Sequence, residues 1–163
     1  MVSQGRMDLN RLVKNLEIII KIMKSNIKIH TSFVSPVTLD LFIKNNYLPI
    51  FIIRSIGNSE LIGKYSGTAV HFKQLSPSPE LFRAKRDSII DYTEFSKRYI
   101  IELSSINFQE LIDKLQYLAN LSGAQGIVLL GYGSDNTKCH RSILADLLNS
   151  TGYLENKVTE IVL

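Results

Sequence analysis

Between Asp8 and Lys24 the apolar residues Leu9, Val13, Leu16, Ile20 and Met23 recur at alternating spacings of four and three, the repeat that lines one face of a helix. Lys14, Lys21 and Lys24 make the other side of that helix basic. The period then changes. Ile27 to Phe33 alternates apolar and polar positions and reads as a strand, after which Ser35 and Pro36 supply an N-cap and a proline at the first helical position. A short helix runs to Lys44, Asn45-Asn46 ends it, and Leu48 to Ile53 is a nearly continuous apolar run of the kind buried on both faces of a parallel sheet. Strand, helix, strand predicts a crossover unit.

Polar, glycine-punctuated residues from Gly57 to Gly67 predict an irregular loop leading to a short extended piece around Ala69 to Phe72. Ser78-Pro79-Glu80 opens the next helix. Asp91 and Glu94 stand at capping-box spacing ahead of Phe95, Tyr99 and Leu103, and Asn107 and Glu110 repeat that spacing ahead of Leu111, Leu115 and Leu118. Gly123 sits where a C-terminal cap is expected. The rest reads as a strand from Gly126 to Tyr132, a glycine loop, a helix from Cys139 to Asn149, Gly152 as terminator and an alternating strand from Val158 to Leu163. Helices alternating with buried strands predict an α/β fold. The expectation is a single layered domain over residues 27–163, with a mainly parallel sheet flanked by helices, preceded by an amphipathic helix extension over residues 1–26.

Composition narrows the function classes. A chain of 163 residues that is 45% hydrophobic and 21% charged has globular rather than disordered composition and the length of one domain. Its net charge of +4 favours anionic partners without demanding nucleic acid. Arg83, Lys85, Arg86, Lys97 and Arg98, interleaved with Tyr92, Phe95 and Tyr99, suggest nucleic acid at first sight. The aromatics, however, fall on helical core spacing and the charges opposite, which reads as a solvated helix face. Lys14, Glu17, Lys21 and Lys24 break the apolar N-terminal run, leaving neither a signal-peptide core nor the ~20 apolar residues of a membrane span. One cysteine, Cys139, cannot form an internal disulfide or a paired-cysteine zinc site, so a reducing, cytoplasmic setting is expected.

The candidate chemistry lies between Gly126 and Leu148. There an apolar strand empties through Gly131-Tyr132-Gly133 into a helix start at Cys139-His140-Arg141, which sets a polar crevice beside first-turn backbone N–H groups. In an open α/β sheet, ligands bind beyond the carboxyl ends of the strands. Three such ends are legible, at Thr31-Ser32, Arg54-Ser55 and Gly131-Tyr132. If the strands are neighbours, Arg54 and Arg141 converge on one helix N-terminus, an arrangement that holds a phosphate, sulfate or carboxylate through N–H donors and guanidinium contacts. The ligand-binding candidates are therefore Arg54, Arg141, Thr31, Ser32 and Tyr132. Cys139 is a candidate nucleophile, since the helix dipole and Arg141 favour its thiolate, although it reads more readily as a small, partly buried residue where the helix begins, as most lone cysteines are. His140 is a weaker candidate for a general base.

Other chemistries fail on counting. A cysteine-phosphatase loop needs an arginine six residues after its nucleophile, where Ala145 stands. Gly57 to Lys64 resembles a P-loop but has one residue too many between its glycines and ends in Tyr65 where serine or threonine is required. Gly131-x-Gly133 begins a dinucleotide fingerprint, yet Asn136 replaces its third glycine. His30, His71 and His140 lack ligand spacing, so no metal is expected, and no cofactor either.

Two segments carry a family resemblance. Leu75 to Leu103, with Glu80-Leu81 and Asp91 to Tyr99 at its core, and Val128 to Tyr132 continuing to Cys139-His140-Arg141-Ser142-Ile143-Leu144-Ala145, are similar to a widespread prokaryotic family, domain of unknown function 488. Ile52-Ile53-Arg54 resembles that family's strand ending in arginine. The resemblance implies an α/β domain and carries over Arg54, Cys139, His140 and Arg141 as site candidates, without lending a reaction. It also implies a cysteine and a glutamate where this chain has Gly131 and Gly133, a departure that favours binding over turnover if those groups take part in family chemistry. The leading expectation is a small protein binding a phosphate- or nucleotide-like anion at the Cys139 helix, with thiol chemistry left open. The rivals are a non-catalytic interaction module, a homo-oligomer formed through the N-terminal helix, and a weak nucleic-acid binder.

Overall fold

Alternation along one strand sorts the molecule into two faces. In the computed structural model, which describes residues 9–54, 70–133 and 135–161, β4 (Gly126–Gly131) is buried along its whole length. Ile127 and Leu129 face one hydrophobic cluster, while Val128 and Leu130 face the other. A strand covered on both sides must be apolar at consecutive positions, which is why β4 reads as an unbroken hydrophobic run.

β4 is the middle of a five-stranded, all-parallel sheet ordered β3-β2-β4-β1-β5, with β1 at Ile29–Phe33, β2 at Tyr47–Phe51, β3 at Val70–His71 and β5 at Thr159–Glu160. β4 pairs with β1 from Ile29↔Ile127 to Phe33↔Gly131, and with β2 from Tyr47↔Gly126 to Phe51↔Leu130. Pro49, which has no N–H to give a ladder, lies in β2 just before Ile50, the first residue paired with β3. The expected α/β class with a parallel sheet is the architecture observed. The expected loop at Gly57–Gly67, including its P-loop-like stretch, lies outside the described residues. So does the end of the last strand beyond Ile161, and β5 itself is only two residues long.

The described residues form six α-helices: α1 (Leu9–Met23), α2 (Pro36–Lys44), α3 (Pro79–Arg86), α4 (Tyr92–Leu103), α5 (Phe108–Ser122) and α6 (His140–Ser150). Leu81, Phe95, Tyr99, Leu103, Leu111, Ile112, Leu115, Leu144 and Leu148 bring α3 to α6 onto one face, and Leu39 and Phe42 bring α2 onto the other. Their ends follow the sequence signals. Ser35 and Thr38 form a reciprocal capping box with Pro36 at N1, Ser78 caps α3 ahead of Pro79, Asn107 receives two first-turn amides, and Gly123 closes α5 in the left-handed region at φ 67°. At α4 only half of the expected box forms. Asp91 accepts the Glu94 amide, while the Glu94 carboxylate turns to Arg98 at 2.7 Å.

α1 is amphipathic as expected, yet none of its described side chains joins either cluster, and Val13 and Leu16 remain 46% and 54% exposed. No helix among the described residues is long and apolar enough to cross a membrane. The difference in burial between the core and the described side chains of α1 has a direct consequence. In urea unfolding, Leu115→Ala, at a fully buried position, should cost about 2–5 kcal/mol, whereas Val13→Ala should stay within about 0.5 kcal/mol of the parent.

Candidate functional site

The carboxyl ends of β2 and β4 lie side by side, and the chain leaving each turns toward α3, α4 and α6. Between them lies a cavity of about 510 Å³. Ile53 and Arg54 contribute from the end of β2, Tyr132, Gly133, Asp135 and Lys138 from the β4–α6 loop, and Cys139 and His140 from the start of α6. The far wall is Pro77, Pro79, Phe82, Arg83 and Lys85 on and before α3, with Phe95 of α4. Its position outside the carboxyl ends of adjacent parallel strands is where open α/β sheets place ligands.

Lys85 reaches across the cavity. Its ammonium donates to the Lys138 carbonyl at 2.7 Å and stands 4.5 Å from the Phe95 ring centre, a cation–π contact. Burial lowers its pKa, and the charges of Cys139 and Asp135 pull it partly back. The sequence reading placed Lys85 on a solvated helix face; the structure corrects this, since the side chain folds back over an aromatic stack rather than into water. That stack, Tyr92–Phe95–Tyr99, runs along α4 with centroid separations of 6.3 and 6.0 Å, and Tyr99 meets the His140 ring edge-on at 5.9 Å.

His140, the weaker candidate for a general base, is held inward rather than on the helix surface. Its Nε2 donates to the Ile52 carbonyl at 2.8 Å, which fixes the ring against β2. Burial, aided by the positive charges of Arg141 and Lys85, pushes its pKa down to about 4. Gly131 makes this seat available: a Cβ there would come within 2.9 Å of both the His140 ring and the Arg141 side chain. Gly133, at φ 100°, adopts a backbone conformation that side chains disfavour. The two glycines that depart from the resembled family are therefore the residues this loop geometry requires.

The structure brings together Arg54, Tyr132, Cys139 and His140, and it separates them from Arg141, Thr31 and Ser32. The Arg141 side chain is fully buried beneath the loop rather than facing the cavity. Its Nη1 donates to the carbonyls of Gly131 (3.1 Å), Tyr132 (3.3 Å) and Gly133 (2.8 Å), and its Nη2 to Glu160 at 3.0 Å. The expected convergence of two arginines thus fails, because the Nη1 and Nη2 groups of this guanidinium are turned to three loop carbonyls and a carboxylate, while its Nε is buried without a hydrogen-bond partner. Thr31 and Ser32 lie on β1, two strands from β2, where Thr31 donates to Glu160 and Ser32 to the Ile161 carbonyl. Arg54 does face the cavity, donating to the Pro77 carbonyl at 3.1 Å. Cys139 is buried at the N-cap of α6, and its side chain caps none of the first-turn amides. No cluster of potential metal ligands occurs among the described residues.

Residues 55–152 match the family described as DUF488-N3a, active DUF488-N3 subclade. The chain belongs to this family. The matched stretch contains α3, α4 and α5, the β4–α6 loop and all of α6, and it begins one residue after Arg54. A curated relative, the uncharacterized protein YeaO of Escherichia coli (strain K12), is 31% identical over 78 residues, covering 48% of this chain and 64% of YeaO. No solved structure matches.

Two measurements check the site's construction. Glu160→Leu leaves the Arg141 charge buried without its carboxylate, and should cost about 3–5 kcal/mol in urea unfolding. Because the neutral His140 imidazole makes the folded protein bind fewer protons than the unfolded chain, stability should be full above about pH 6.5 and fall as pH drops from there through about 4. Thermal unfolding between pH 8 and 4 reads this directly, and His140→Gln should flatten the profile.

Proposed function

We propose that the cavity between β2, β4 and the α3 wall binds a small organic anion of phosphate or carboxylate type. One observation carries this reading: among the described residues, Arg54, Arg83, Lys85 and Lys138 line the cavity against the one carboxylate of Asp135. Lys85 is the best placed of the four. It is held at a fixed point by the Lys138 carbonyl and the Phe95 face, so little side-chain entropy remains to be lost on binding. The first turn of α6 adds N–H groups and the positive end of its dipole on the same side.

Cys139 gives the reading its chemical extension. Cys139 is among the residues lining the cavity and lies within electrostatic reach of Lys85, so a bound electrophilic anion would lie near a thiol in a positive environment. The lone buried cysteine suits a reducing, cytoplasmic protein.

Calorimetry with inorganic phosphate tests the binding. Lys85→Met and Arg54→Ala should each weaken it by about tenfold, the ~1.4 kcal/mol of one charge-assisted contact; unchanged affinity in both would overturn the proposal. Phosphate should also slow alkylation of Cys139 by iodoacetamide in the parent protein. Equal rates with and without phosphate would place the anion away from the thiol.

A second reading concerns α1, whose apolar residues Val13, Leu16 and Ile19 are about half exposed. Such a stripe suits pairing with a second copy of the chain or with a partner helix. Light scattering of Leu16→Glu should then give a smaller mass than the parent, and an identical mass would remove the self-association.

A further inference from the structure

The composition of the cavity wall says more about the ligand than its charge does. We infer that the natural occupant is an aromatic anion, a flat ring system joined to a phosphate or carboxylate, with a nucleoside monophosphate as the test member of the class. This rests on the reading above that the cavity takes an anion.

A cavity of about 510 Å³ is far larger than a bare phosphate or sulfate needs and falls in the range of sites that hold whole organic molecules. The cations occupy only part of its lining. Ile53, Pro77, Pro79, Phe82, Phe95 and Tyr132 form much of the rest, an apolar surface rich in flat groups. Phe82 is the informative member. It stands 50% exposed on α3, whereas the aromatic residues of α4 are packed into a stack. A phenyl ring left in water beside a cationic cavity gains hydrophobic burial and face-to-face or edge contact when a second ring enters. The Tyr132 ring, 42% exposed on the β4–α6 loop, offers another flat contact on the same cavity. An aliphatic sugar phosphate would satisfy the cations while leaving these rings wet. An uncharged aromatic would bury the rings while leaving the cations uncompensated.

The experiment is calorimetry on the full chain with inorganic phosphate, ribose 5-phosphate, phenyl phosphate and adenosine 5′-monophosphate. Phenyl phosphate and the nucleotide should each bind at least tenfold more tightly than ribose 5-phosphate, as stacking on an aromatic side chain provides. Phe82→Ala, a change at an exposed position, should erase that preference while leaving ribose 5-phosphate affinity within about twofold, and Phe82→Tyr should retain it. Ribose 5-phosphate binding as tightly as the two aromatic compounds overturns the inference and leaves the anion site standing. Absence of binding by all four compounds overturns both.

Discussion

The Arg141 guanidinium holds the site together without belonging to it. A loop leaving the central strand of a parallel sheet turns its carbonyls away from any ladder partner, and buried carbonyls without donors are costly. Arg141 resolves this for three consecutive residues at once and closes its charge on Glu160 of the edge strand β5. Glu160 is in turn fixed by Thr31. One buried network therefore links β1, β4, β5 and the start of α6, and it shapes the loop that presents Tyr132, Gly133 and Asp135 to the cavity. A lysine could not substitute, since the planar fork of arginine supplies several fixed donors and lysine only a point charge.

On the other side of the loop the electrostatics are arranged differently. His140, adjacent in sequence to both Cys139 and Arg141, is kept neutral by its burial and spends its Nε2 proton on the Ile52 carbonyl. Lys85, remote in sequence, supplies a fixed positive charge at the cavity near Cys139. The His140 ring thus serves as packing between Tyr99 and β2, and the roles suggested by adjacency along the chain are redistributed by the fold.

Much of the architecture was legible before any coordinates, because it rests on local physics. The caps at Ser35, Ser78, Asp91, Asn107 and Gly123, the period change after Lys24 and the doubly apolar runs of β2 and β4 each announce their element through short-range chemistry. The strand–loop–helix signature pointed to the end of β4, where the cavity lies. What sequence could not give was the direction of long side chains. The sequence places Arg141 at the helix N-terminus facing the crevice and Lys85, by helical spacing, on a solvated face, whereas the one turns beneath the loop and the other over Phe95. A signal was present for Lys85, which precedes Tyr92 and Phe95 by seven and ten residues across a helical turn-around, but no rule of spacing within one helix detects it. Thr31 and Ser32 were misplaced for another reason. They do end a strand, but strand order sets β1 beyond β4, with their hydroxyls turned to β5.

The central claim is that the cavity at the mouth of α6 is where an anion enters this molecule, and backbone amide shifts during titration with inorganic phosphate test it most directly. The account predicts that the largest shift changes fall on Gly133 and on the first-turn amides of His140, Arg141 and Ser142. Largest changes at the opposite, Lys28–Lys157 edge of the sheet, where a second cavity lies beside His30 and Tyr47, would contradict it.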